Sequence, residues 1–128
     1  MKNTINLRNG EIFSVAILLK ELCEDSNLVL PIKANFYLHK NKNVFVELAQ
    51  EIENARNEIF NKFGTLKEDG SGYTFEESVV EKANAELEEL LLLTQEVNLY
   101  IINIDDFKDI KLNSQQMNVL MLMVDEIE

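Results

Sequence analysis

From Pro31 onward, apolar residues recur at helical spacing for some thirty residues. Ala34, Leu38, Phe45, Leu48, Ile52, Ala55 and Ile59 fall at alternating steps of four and three, with Asn41 the one polar residue in the series. A stripe of that period marks a helix that other elements must cover along one side. The pattern predicts one long helix over 31–63, with Pro31 as its first residue and Gly64 as a left-handed C-terminal residue. At 1.5 Å per residue it would reach roughly 50 Å. Asn41 is expected to be buried or half-buried and to be the weak point of the seam.

The other elements follow from shorter patterns. Thr-Ile-Asn-Leu at 4–7 alternates like a half-buried strand. Asn9 is then placed to cap a helix over 10–24, with Glu11 in its first turn. That helix carries apolar residues on most of its circumference and is expected to cover the Pro31 end of the long helix. Lys67 to Gly72 reads as a polar turn, the tip of a hairpin or an exposed loop. Thr74 and Glu77 match a capping box and predict a helix over 75–93, covering the Phe63 end. Val97 to Ile104 is rich in β-branched and aromatic residues and predicts a strand that pairs with Thr4 to Leu7. Asn113 and Ser114 open a final helix over 114–126. Together these give a single mainly helical α+β domain: a long antiparallel helical hairpin, a small antiparallel sheet of two or three strands, and two shorter helices.

The final helix raises a question of partners. Met117, Leu120, Met121 and Val124 form one face, expected to lie against the domain. Val119, Leu122 and Met123 are left over on the other side, where they would form an exposed patch for a protein partner or a homodimer.

Composition narrows the function classes. With 128 residues, 46% of them apolar, the chain can bury a core of its own, and no apolar run is long enough to cross a bilayer. Met1 to Thr4 lead straight into a strand-like pattern with no signal-peptide core. Twelve basic against 23 acidic residues give a net charge of −11, so nucleic acid would be repelled and a protein with a basic surface would be attracted. Along the long helix the charge is uneven. Lys33, His39, Lys40 and Lys42 precede any acid, and Glu47, Glu51 and Glu58 follow. Pairing of the basic half with Glu21 and Glu24 is expected.

Catalytic constellations lack parts. His39 is the only histidine, which rules out a histidine zinc cage within one chain, and its lysine and asparagine neighbours place it on a solvated face. The four glycines stand at caps and turns rather than in a phosphate cradle. Cys23, the only cysteine, reads as a small core residue in a reducing cytosol. Asp105, Asp106 and Asp109 form the densest acidic cluster, expected to mark a turn, with Mg²⁺ binding the alternative. Glu68, Asp69 and Ser71 lack the ligand pattern of a calcium loop. Glu47, Glu51, Asn54 and Glu58 line one helix face but have no histidine-bearing partner helix for a di-metal site. No enzyme, cofactor or metal is expected.

Several segments carry a resemblance. Ile5 to Glu11, Leu30-Pro31-Ile32-Lys33-Ala34, Glu53 to Ile59 running to Lys62-Phe63-Gly64, and Phe107 to Leu112 resemble a family of small proteins of bacteriophages and prophages of Gram-positive bacteria, to which no activity is assigned. The resemblance implies a phage origin and action in the bacterial cytoplasm, and transfers no catalytic residue. The expected function is protein–protein binding through an acidic surface, as in an inhibitor of host defence. Assembly accessory and nucleotide-sequestering protein are the alternatives.

Overall fold

The computed structural model describes residues 2–108 and 110–125. The first strand, β1 (Lys2–Arg8), runs antiparallel to β4 (Thr94–Tyr100), with Ile5 opposite Val97 and Lys2 opposite Tyr100. This is the expected pairing of the two segments. Period-two alternation decides which way each residue faces. Leu7, Val97 and Leu99 are buried, while Thr4, Asn6, Glu96 and Asn98 stay in water, where the Thr4 hydroxyl donates to Asn98 Oδ1 at 2.6 Å.

Helix α1 (Asn9–Glu24) starts directly from β1 and buries Ile12, Val15, Ala16, Leu19 and Leu22. Arg8, not Asn9, occupies the N-cap position, and the Arg8 N–H donates to Glu11. Asn9 has a different task. It is buried, its N–H and Nδ2 donate to the carbonyls of Leu93 and Leu90 at 2.8 Å, and its Oδ1 accepts from Gln95 at 2.7 Å. Both carbonyls belong to the end of the helix preceding β4, where the Leu93 N–H also donates to the Leu90 carbonyl at 3.3 Å.

The long helix, α2 (Ile32–Phe63), is continuous over 32 residues. Pro31 sits at its N-cap rather than in its first turn, with extended backbone and its carbonyl accepting from Asn35. The seam is buried at Ala34, Leu38, Asn41, Phe45 and Ile52 and half-buried at Leu48, Ala55 and Ile59. Helix α1 covers the middle of α2, not its Pro31 end. Phe13 lies under the Arg56 guanidinium, and Phe13, Ala16 and Ile17 line a groove with Val46, Ala49 and Glu53. The Pro31 end is covered instead by the stretch around Tyr100, whose ring stacks on Tyr37 at 4.9 Å.

Gly64 is extended (φ −106°) and opens β2 (Gly64–Leu66), which pairs with β3 (Tyr73–Phe75) across the expected polar tip, where Gly70 has φ +72°. Glycine at 64 is thus required by proximity and not by a left-handed turn. A Cβ there would lie 2.8 Å from the Phe60 carbonyl and 2.9 Å from the Phe75 ring. Thr74 is a strand residue, not a cap, because its neighbours are drawn into the hairpin. Helix α3 (Glu77–Leu92) begins after Glu76, and its Ala83 and Leu87 pack toward Phe60 and Phe75.

Beyond Tyr100 the expected strand is interrupted at Ile101. Strand β5 (Ile102–Asn103) leads into a 3-10 turn (Ile104–Phe107) capped by Asn103, whose Oδ1 accepts from the Asp105 N–H. Helix α4 (Ser114–Leu120) has the expected Asn113 cap, made reciprocal by Gln116, but it lasts only seven residues. The chain then turns so that the Met123 carbonyl accepts from the Ile102 N–H at 2.7 Å, and β6 (Val124–Asp125) pairs parallel with β5. This early stop keeps Leu120 buried as expected but reverses the facing of its neighbours. Val119 and Met123 are core, Leu122 is half-buried, and Met117 and Met121 are the exposed pair.

The fold is mainly helical α+β, with three two-stranded sheets among the described residues instead of one. No described helix is long and apolar enough to cross a membrane. Gly64→Ala should cost about 1–3 kcal/mol by overpacking. Gly72→Ala, where an added Cβ meets nothing within 4 Å, serves as control. Urea melts of the two variants measure the difference, and equal midpoints would remove the steric role assigned to Gly64.

Candidate functional site

The first half of α2 carries the most constrained polar group of the chain. Asn41, the tenth of the 32 residues of α2, is fully buried, three residues after Leu38 and four before Phe45 in the seam. Its Oδ1 accepts the Tyr100 N–H at 2.8 Å and its Nδ2 donates to the Tyr100 carbonyl at 2.9 Å. Nδ2 also lies 3.4 Å from Met123 Sδ. The side-chain amide therefore gives Tyr100 the donor–acceptor pair that a neighbouring strand residue would supply. Asn41 is buried as expected, but it is a fastening point and not the seam's weak point.

That bond positions the segment that follows. With Tyr100 held against α2, Ile101 to Asp106 lie beside the first turns of the helix and enclose a cleft of about 330 Å³. Its polar lining is Lys33, Tyr37, Asn103 and Asp106. One ammonium, one carboxylate, an amide and a phenol can bind and orient a small polar group. Asp105 is exposed, Asp106 is half-buried at the cleft, and Asp109 lies outside the described residues. No three His, Cys, Asp or Glu side chains converge as a metal site among the described residues.

The charged surface of α2 is arranged otherwise than its sequence implied. The described residues contain two ion pairs, Glu53–Arg56 within α2 and Lys62–Glu86 between α2 and α3. Lys33, Lys40 and Lys42 are not bridged to Glu21 or Glu24. Lys33 instead lies 5.6 Å from the centre of the Tyr37 ring, and Lys40 5.4 Å from that of Phe36, cation–π placements that keep each ammonium in water. Around them Val29, Ile32 and Phe36 are exposed, an apolar and basic surface at the Pro31 end. The unbroken run Leu28-Val29-Leu30-Pro31-Ile32 was its signal in the sequence.

Further along, Glu47, Glu51 and Glu58 are all exposed, and so are Glu81, Glu88 and Glu89 on α3. The structure does not bring Glu47, Glu51 and Glu58 together with Val119, Leu122 and Met123 into one surface of exposed side chains, because Val119 and Met123 are inside. The exposed apolar groove of the C-terminal segment runs between Met117, Met121, Ile104 and Phe107.

Among the described residues two groups have shifted titration. Burial pushes the Cys23 thiol up, opposed by the nearby Lys42 charge, so the thiol stays protonated near neutrality and is a poor nucleophile. At the hairpin tip Asp69 is held below the usual carboxylate range by hydrogen bonds from the Ser71 hydroxyl and N–H. These bonds close a tight turn and satisfy the carboxylate locally. Comparison of the chain with protein-family models, curated proteins and solved structures gives no match.

Asn41→Ala should destabilise the protein by about 2 kcal/mol, since it removes the side-chain partner of both part-buried backbone groups of Tyr100. Asn41→Asp should also destabilise it, most at neutral pH. As pH falls, the buried carboxyl gains a proton, loses its charge and recovers a donor for the Tyr100 carbonyl. Denaturant melts at several pH values measure this. An Asp variant whose deficit grows on acidification would contradict the assignment.

Proposed function

We propose that this protein acts without catalysis, by binding a partner protein through its acidic surface in a bacterial cell, as an antagonist of a host process. The observation that carries the reading is an uncompensated field. Six carboxylates on α2 and α3, Glu47, Glu51, Glu58, Glu81, Glu88 and Glu89, are exposed and belong to neither ion pair of the described residues. With a net charge of −11, they attract a basic protein surface over a distance set by the ionic strength.

Carboxylates spaced along two packed helices can stand where the phosphates of a nucleic acid would lie. A partner that normally holds phosphate offers lysine and arginine clusters suited to that spacing. The resemblance to phage and prophage proteins supports a bacterial partner and a role during infection. Because the carboxylates stand on helices that are already folded, docking would require no ordering of their backbone.

Reversal of the α3 charges, Glu81→Lys with Glu88→Lys and Glu89→Lys, should leave the far-ultraviolet circular dichroism unchanged. It should reduce capture of the partner from host lysate at least tenfold. Raising the salt from low to high should release the wild-type complex in the same way. Undiminished capture by the folded triple variant would overturn the acidic-surface reading.

A further inference from the structure

The exposed charges of the long helix are complementary to themselves. Lys33 and Lys40 stand seven residues apart, and so do Glu51 and Glu58. At 100° per residue all four project within about 20° of one another around the helix axis. All four are exposed, and none belongs to the two ion pairs of the described residues. The midpoint between Lys33 and Glu58 coincides with that between Lys40 and Glu51, at the bond joining Phe45 to Val46.

From this coincidence we infer that the outer face of α2 is a docking surface for a second copy of the chain. The two long helices lie antiparallel about a two-fold axis at their centres. Lys33 of each copy then meets Glu58 of the other, and Lys40 meets Glu51. In antiparallel helix pairs, flanking positions at the same angular offset face one another, which is the arrangement these four residues need. A two-fold axis makes every contact twice from one surface and closes the assembly at two copies. The apolar residues of that face agree with covering. Ile32 and Phe36 are 89% and 55% exposed in the single chain, and an antiparallel neighbour withdraws them from water. Near the axis the polar Asn43 and Glu47 face each other across the copies.

Overall charge argues against association, since two chains of −11 repel. That opposition separates a specific interface from a general charge effect. The inference does not rest on the proposed function, because it concerns purified protein alone; the dimer would occupy Glu47, Glu51 and Glu58 and leave Glu81, Glu88 and Glu89 on α3 for a partner.

Sedimentation velocity on the full chain tests it, at fixed moderate ionic strength over a range of concentrations. The wild type should form a dimer reversibly. Lys33→Glu with Lys40→Glu should be monomeric. Glu51→Lys with Glu58→Lys should also be monomeric, although it lowers the net negative charge and would favour any non-specific association. The chain carrying all four substitutions should recover the dimer. A second readout covers the case in which that fourfold variant fails to fold. In a Cys23→Ala background, Glu47→Cys should cross-link to itself on mild oxidation, and Glu81→Cys should not. A wild type that is monomeric throughout would overturn the inference. So would persistence of the dimer in Glu51→Lys, Glu58→Lys, or equal cross-linking at the two cysteine positions.

Discussion

The pairing of Asn41 with both backbone groups of Tyr100 is the constraint on which the arrangement depends. A two-stranded sheet leaves edge groups that must be paired or hydrated. Here one edge abuts the long helix at the half-buried Tyr100, where an amide or carbonyl shielded from water would be costly to leave unpaired. A single side-chain amide supplies both partners. Two residues further on, the Ile102 N–H is paired by the Met123 carbonyl, so the same edge passes from a side chain to a strand. The Met123 sulfur touching Asn41 closes the circuit between helix, sheet and C-terminal segment.

From that point the division of α2 into two differently charged halves follows. Its inner seam is consumed by α1, α3 and β4, and its outer strip is left to water over the length of the helix. The first half presents lysines held over aromatic rings beside exposed apolar side chains, and the second half presents carboxylates. Exposed ion pairs within one chain contribute little to stability, so separating the two signs along the helix costs the fold little. It does give the surface a direction. In the proposed reading a basic partner would be steered to one half, and a second copy of the chain would find its complement when turned through a half rotation.

Much of the fold was legible because periodicity is a long-range signal. The seam of α2 with Pro31 and Gly64 at its ends specifies its length to within a residue, and the β1–β4 pairing follows from alternation at 4–7 and β-branched and aromatic residues at 97–104, although the strand itself runs from Thr94 to Tyr100. Local chemistry was less legible. Asn9 has the side chain of a cap, but tertiary contacts with Leu90, Leu93 and Gln95 claim it instead. Thr74 and Glu77 fit a capping box, yet the hairpin formed with Gly64 to Leu66 claims Thr74, and the helix starts at Glu77 itself, after Glu76. The C-terminal segment was misphased because its apolar run continues beyond Leu120, where the backbone leaves the helix to pair with Ile102. Periodicity cannot register that exchange, so Val119 and Met123 were assigned to the wrong side. The acidic half of the candidate surface was visible as Glu47, Glu51 and Glu58. The cation–π settings of Lys33 and Lys40 depend on rotamers that no sequence pattern encodes.

The central claim concerns one amide, and native-state hydrogen exchange reads that amide directly. If Asn41 fastens the sheet edge to the long helix, the Tyr100 N–H should exchange only through global unfolding. Its opening free energy should then match that of the buried core amides of α2, such as Phe45. Exchange of the Tyr100 N–H by local opening, at a rate typical of a solvated strand edge while Phe45 stays protected, would contradict the account.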